Sequence, residues 1–415
     1  MWLVFFSMWL VWVLGIILFL RVLQRIYFLL FGYHFKPLHS SVETQPSPHS
    51  SCSKSTPAVD LNMQLLALFK RHDIPVTHHT IVSSQDNAPL HIRILGQIGE
   101  KKRYILLANG VGTDLFMWLP ILEACLNKDS SFFETFTFIV PSYRGLFSHI
   151  HNEEEDKAIN VKVTMDLCME DTLQVMAHFH IPSYEAIMGW STGAQLAITL
   201  CARHPNAANR LILLNPSTGH TLHTALQPLI PLPASMGNLI AKALVFTLGS
   251  LIPLCNTPLW KHLKVIAEGP VFRLMLEVLA FMGGFPPYQP IFFHQYMFDA
   301  FSCRAHTKAL LNLIISLDAA CPPQALTLSH DTLIISGVKK KKSQFHFSFV
   351  NYTVSLLGLM DFMTGVYHST KLASGFKNSK HVMFTMGSHF LLIEWPEIIA
   401  NEIVIFLRKD DNKKS

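Results

Sequence analysis

Short apolar runs recur along the chain at intervals that suit buried β-strands. They cover residues 78–82, 89–95, 104–108, 136–140, 185–188, 211–214, 332–336 and 382–385. Runs of four to seven residues bounded by polar or turn-forming segments are the pattern of strands packed on a core. The first two flank Ser84-Gln85-Asp86-Asn87, a turn-prone tetrapeptide, and so predict a hairpin. Between several of the others the apolar spacing changes to that of a helix, over residues 116–125, 165–179 and 396–407. Strands alternating with helices predict an α/β fold: a mostly parallel sheet with helices on both faces. From Ser217 to about Pro323 the strand pattern stops. This segment is rich in Leu, Ile, Phe, Met and Pro and reads as a helical cap inserted over one edge of the sheet. Within it, Phe281-Met282-Gly283-Gly284-Phe285-Pro286-Pro287-Tyr288 and Ile291-Phe292-Phe293 suit an apolar acyl pocket, a membrane-facing surface or ordinary cap core.

The first sixty residues follow different rules. Trp2 to Leu20 contain no charged side chain, which is long enough to cross a bilayer as one helix. No Lys or Arg precedes this run, and Arg21, Arg25 and Lys36 follow it. A secretory signal peptide is the alternative, but the basic start, the shorter apolar core and the small-residue cleavage site are not evident. An uncleaved single-pass anchor is expected over residues 1–36. The basic residues after it place the rest of the chain on the cytosolic side. Residues 37–60 are rich in Ser, Pro, Thr and His and read as a linker with too little apolar content for a core. The globular domain is expected over residues 61–415, with the cap at about 217–323.

Composition adds little that contradicts this division. Half of the 415 residues are hydrophobic and the net charge is +5. Much of that excess sits in Lys339 to Lys342 and the Lys413-Lys414 tail, so a nucleic-acid partner is not expected. The seven cysteines are scattered, odd in number and without CxxC spacing. They read as reduced thiols of a cytosol-facing domain rather than a disulfide framework or a metal site.

The chemistry concentrates at Gly189-Trp190-Ser191-Thr192-Gly193. This Gly-x-Ser-x-Gly lies between the apolar run 185–188 and a helix-forming segment that ends near His204-Pro205. Strand, sharp turn and helix form the setting of a nucleophile elbow, which holds its serine in a strained conformation above the sheet. Glycines at 189 and 193 let strand and helix approach where a side chain would intrude. A serine hydroxyl needs a base within hydrogen-bond reach, and the base needs an acid to orient it. There are 22 histidines, so position decides. His389, in Met386-Gly387-Ser388-His389-Phe390, follows the last expected strand and is the expected base. His204 ends the elbow helix as a structural residue, and His368 is a lesser candidate on a later helix. Asp361, in Leu359-Met360-Asp361-Phe362, is the expected acid. Asp331 precedes its strand, Glu394 falls on the last helical segment as a solvated carboxylate, and Asn215 cannot serve as an acid. The oxyanion formed on attack needs preset N–H donors. They are expected from Thr192 and from Val111 in the loop Asn109-Gly110-Val111-Gly112-Thr113.

On these residues the chain resembles the α/β-hydrolase-fold serine hydrolases. The resemblance rests on the elbow, Leu213-Leu214-Asn215-Pro216, the run 332–337 followed by Asp361, Gly387-Ser388-His389-Phe390, and Tyr143-Arg144-Gly145. It spans about Val76 to Leu407. It implies an eight-stranded sheet with a helical cap, a serine nucleophile, an acyl-enzyme intermediate and no cofactor or metal. Two departures stand out. Asn109 replaces the histidine that commonly opens the family's oxyanion loop. A longer interruption, residues 338–358, separates the acid from its strand. Excising it joins Ile335-Ser336-Gly337 to Leu359-Met360-Asp361, and the run reads as an intron translated in frame or as a loop inserted at the rim.

The functional expectation is a membrane-anchored serine hydrolase cleaving carboxylic esters of apolar, lipid-like acyl groups. An acyltransferase would use the same triad with an alcohol in place of water. A catalytically inactive binding protein of the same fold is the reading from a different class.

Overall fold

The computed structural model describes residues 61–144, 163–217, 219, 222, 234–254, 307–319, 328–338, 366–385 and 389–409. The expected anchor and linker, the middle of the cap, the interruption at 339–358 and Asp361 lie outside these residues. Among the described residues no helix is long and apolar enough to cross a membrane.

In chain order the elements are α1 (Leu61–Arg71), β1 (Val76–Val82), β2 (Pro89–Leu95), β3 (Arg103–Ala108), a 3₁₀ turn (Leu115–Trp118), α2 (Leu119–Lys128), α3 (Phe132–Thr135) and β4 (Phe136–Pro141). Then follow α4 (Met165–His178), β5 (Tyr184–Trp190), α5 (Thr192–Arg203) and β6 (Ala208–Leu214). Two helices of the segment expected to form a cap come next, α6 (Ala234–Leu251) and α7 (Thr307–Ala319). The chain ends with β7 (Asp331–Val338), α8 (Val366–Gly375), β8 (Asn378–Thr385), α9 (Leu391–Glu394) and α10 (Pro396–Arg408).

The strands form one eight-stranded sheet in the order β1-β2-β4-β3-β5-β6-β7-β8. Only β2 runs antiparallel to its neighbours, and the pairs from β4 to β8 are parallel. Alternating side chains divide between two cores, as the period of a strand requires. On β3, Ile105 and Leu107 join one cluster with α2 and α10. Tyr104, Leu106 and Ala108 join the other, with α4, α5 and α7. The strands β5, β6 and β7 split in the same way, so the sheet is buried on both faces. That explains why each central strand reads as an unbroken apolar run.

The expected hairpin is present. Its turn is closed by Ser83 N–H donating to Ala88 O and Asn87 N–H to Ser83 O, at 2.8 and 3.0 Å, with Asn87 at φ 59°. Arg144 fixes this turn to α4 from beneath. Its guanidinium donates to both carboxylate oxygens of Asp171, to Asp86, and to Ser83 Oγ at 2.6 Å. The Arg144 side chain is only 1% exposed. Burial pushes the Asp171 carboxyl above its usual range, and the guanidinium pulls it back. Arg144→Ala therefore leaves a buried carboxylate without its cation. The expected loss is about 3–5 kcal/mol near neutral pH. In that variant the folded-state pKa of Asp171 rises further above its unfolded value, so folding is favoured below that value and stability falls as pH rises through it. Urea unfolding of the full chain should show the deficit shrinking toward acidic pH.

One expectation is corrected. Glu394, read as a solvated carboxylate, is 3% exposed. The short α9 ends on it, and Leu391, Leu392 and Ile393 beside it enter the core, carrying the carboxylate in with them.

Candidate active site

The site is built where β5 turns into α5. Ser191 follows the strand directly and precedes the first helical residue. Its backbone sits at φ 55°, ψ −116°, a region that costs a non-glycine residue on the order of 1–3 kcal/mol. Hydrogen bonds hold it there. Ser191 N–H donates to Leu214 O at 2.9 Å, and Ser191 O accepts from Ala194 N–H at 3.1 Å and Ser217 N–H at 3.0 Å. The end of β6 thus grips the elbow. Asn215 takes up a φ of 41° there and donates its N–H to Ile335 O on β7 at 2.8 Å.

Both expected glycines are required by close approach. A Cβ on Gly189 would lie 2.6 Å from the backbone of Ala194. A Cβ on Gly193 would lie 1.9 Å from Ala108 O at the end of β3. Real side chains do not occupy such distances, so the elbow helix seats against the sheet only with glycine at these positions.

The structure brings Ser191 and His389 together. His389 Nε2 lies 2.9 Å from Ser191 Oγ, and the two residues are 3% and 5% exposed. His389 reaches this place from the loop between β8 and α9. Trp190 steadies that loop: its indole N–H donates to His389 O at 3.0 Å, with the two rings 5.4 Å apart. The same indole fills the space over Gly110, where a Cβ would meet it at 2.6 Å. Sequence reasoning passed over Trp190. The available signal was an indole N–H in a buried turn, a donor that must find a partner.

The loop after β3 is fastened at several points. Asn109 Oδ1 accepts from the Trp118 indole at 2.8 Å, and Asn109 O accepts from the Tyr143 hydroxyl at 2.7 Å. Burial raises the Tyr143 phenol well above its ordinary pKa, which keeps the proton it donates. The Thr113 hydroxyl donates to Gly110 O at 2.7 Å. Asn109 is therefore a brace for the loop. The Val111 N–H, expected to face an oxyanion directly, donates to the Thr192 hydroxyl at 2.6 Å.

The expected acid, Asp361, lies outside the described residues, as do Gly387 and Ser388. His368 belongs to α8 and His204 caps α5. A second serine–histidine pair, Ser336 Oγ and His381 Nε2 at 2.8 Å, joins β7 to β8. Burial holds the His381 pKa below its usual value, and Ser336 sits within a regular strand, without the elbow that exposes a nucleophile. Among the described residues no group of three or more His, Cys, Asp and Glu side chains could hold a metal ion. Cys125, Cys168 and Cys201 are buried free thiols.

No family model matches the sequence, and no curated protein is similar to it. Solved structures are. A hydrolase from Pseudomonas aeruginosa PA01 superposes with a TM-score of 0.53 at 15% identity, over 80% of this chain and 98% of its own. An α/β-hydrolase enzyme from a Medee basin deep-sea metagenome library gives 0.51 at 15%, over 79% and 96%. A membrane phospholipase A, a bacterial virulence factor, gives 0.52 at 15%, over 97% and 99%. At such identities the likeness speaks for architecture alone, and that architecture is the α/β-hydrolase fold.

Proposed function

We propose that the chain is a membrane-anchored serine hydrolase that cleaves carboxylic esters of apolar acyl groups. The observation that carries this reading is the 2.9 Å contact between His389 Nε2 and the Oγ of a serine held at φ 55°. A structural serine has no need of that strain. In the proposed mechanism Ser191 Oγ attacks the ester carbonyl as His389 Nε2 takes its proton. The carbonyl π pair moves to oxygen. Collapse of the tetrahedral adduct expels the alcohol, which receives the proton from His389. Water, deprotonated by His389, then attacks the acyl-serine; the acyl–Oγ bond breaks, Ser191 Oγ takes the proton back from His389, and the acid is released. Asp361 orients the imidazole and stabilises its charged form. Thr192 N–H, at the amino end of α5, stabilises the oxyanion.

Apolar substrates are favoured by the cap. Leu239 and Phe246 lie two turns apart on one side of α6 and are 68% and 77% exposed. Large apolar side chains held in solvent suit a lipid surface or an acyl chain. The uncharged N-terminal run and the likeness to a membrane phospholipase A agree with a lipid-like ester.

The test uses the full chain in membranes. After an alkaline carbonate wash the membranes are treated with a fluorophosphonate probe and the adduct is mapped by mass spectrometry. Turnover of para-nitrophenyl esters of increasing acyl length is measured on the same preparation. The expected result is a chain retained in the pellet, one adduct on Ser191, and turnover that rises with acyl length. Loss to the supernatant would overturn the anchor. A preference for acetate would overturn the apolar substrate. No adduct would leave the binding-protein reading in its place.

A further inference from the structure

The Thr192 side chain makes a contact that the reaction as described does not use. Its Oγ1 accepts the Val111 N–H at 2.6 Å, across 81 residues of sequence. Thr192 is 2% exposed and is the residue directly after Ser191. A hydroxyl that accepts one hydrogen bond still has a proton to give. Among the described residues that proton has no acceptor. A buried donor left without a partner carries a cost, and here it belongs to the residue after Ser191, whose Oγ bonds to the carbonyl carbon in the proposed reaction.

The arrangement is preset. A β-branched side chain in the first turn of a helix has few χ1 choices, and the Val111 N–H selects among them. Accepting that N–H also polarises the O–H and makes it a better donor. Val111 in turn is held by the fastened loop: Tyr143 and Trp118 on Asn109, and Thr113 on Gly110. The N–H that this loop turns toward Ser191's neighbour is thus engaged by the Thr192 hydroxyl.

We propose that the Thr192 hydroxyl is a catalytic donor to the oxyanion, with the Val111 N–H behind it as the group that positions it. The assignment rests on the serine-hydrolase reading. When Ser191 Oγ bonds to the carbonyl carbon and its proton passes to His389 Nε2, the carbonyl oxygen gains the π pair and accepts from two groups of one residue, Thr192 N–H and Thr192 O–H. No proton is transferred from the hydroxyl. It strengthens its bond to the oxyanion as charge forms and relaxes it when the acyl-serine is made. The role differs from that of a spacer, because it acts on the transition state and leaves ester binding alone.

The experiment compares wild type, Thr192→Val and Thr192→Ser as full-length protein in membranes, with para-nitrophenyl butyrate as substrate and phenylboronic acid as a probe that forms a tetrahedral adduct on Ser191. Loss of one oxyanion donor is worth about 10²–10³ in kcat. Thr192→Val should therefore lose roughly a hundredfold in kcat with little change in KM, and its affinity for the boronate should fall in step. Thr192→Ser should stay close to wild type in both. A valine variant as fast as wild type, or faster, would overturn the assignment and leave the hydroxyl as an occupant of the Val111 N–H. A serine variant as slow as valine would do the same. Should valine prevent folding, Thr192→Cys against Thr192→Ser carries the comparison, since a thiol fills the place and donates weakly. Wild type that takes up neither fluorophosphonate nor boronate would overturn the serine reading itself, and this assignment with it. Reactive wild type with equal variants overturns the assignment alone.

Discussion

Ser191→Ala is expected to lower ester turnover by roughly 10⁴–10⁶-fold while leaving the protein folded. The hydroxyl supplies the bond-forming atom, so no neighbouring group can replace it by a small movement. Alanine at φ 55° bears the same backbone strain as serine, and the grip of Leu214 O and Ser217 N–H on the elbow does not involve the side chain. Losing the buried bond to His389 Nε2 should cost about 1 kcal/mol, the net worth of a typical hydrogen bond. The measurement is kcat/KM with a para-nitrophenyl ester, beside the melting temperature of the same preparation. A variant that keeps more than a few per cent of the rate would place the nucleophile elsewhere. The Ser336–His381 pair would then be the first place to look.

Gly193→Ala should produce the largest loss of stability of any single methyl added to the elbow. The added carbon would sit 1.9 Å from Ala108 O, 2.5 Å from Ala108 C and 2.6 Å from Asn109 O. All three are backbone atoms of β3 or of the loop that follows it, so no side chain can turn away. Helix α5 must move off the sheet, and its neighbours Ala194, Leu196, Ala197 and Ile198 lose contact in the same core. Overpacking of this kind costs about 1–3 kcal/mol where neighbours can yield and more where they are backbone. A value of about 4 kcal/mol or above is expected, a large share of the roughly 5–15 kcal/mol that holds a domain together. Chemical unfolding of wild type and variant would measure it. Gly193→Ala protein as stable as wild type would mean that the helix does not pack on β3 as closely as described.

The sheet was legible because its central strands are buried on both sides and read as apolar runs. Their ends were not. Strand β5 continues through Gly189 and Trp190, and β6 begins at Ala208, because ladder bonds to β3, β6 and β7 extend each strand beyond its apolar stretch. The elbow was legible because a Gly-x-Ser-x-Gly between strand and helix carries its geometry in local sequence. His389 could be ranked above 21 other histidines by its place after the last strand, and the structure sets its Nε2 beside Ser191. What sequence did not disclose are contacts across long separations: Thr192 with Val111, Trp190 with His389, and Arg144 with Asp86 and Asp171. No spacing rule predicts these, since each depends on how elements distant in sequence settle against one another. Glu394 was misjudged for the same reason. Its burial is imposed by α9 turning into the core, whereas its charge suggested solvent.

The sheet order has a consequence for the chain as it is made. Strand β6 ends at Leu214 and its outer partner β7 begins at Asp331, more than a hundred residues later. At about 5–20 residues per second of synthesis, that delay is on the order of ten seconds. During it six of the eight strands, β1 to β6, can assemble, Ser191 already in its turn, but the free edge of β6 shows unpaired N–H and C=O groups beside Leu211, Ile212, Leu213 and Leu214. An open apolar edge is a template for pairing with other chains. The long segment between β6 and β7 is what holds that edge open in the nascent chain. The chain is therefore most exposed to aggregation while residues 215–330 are being synthesised.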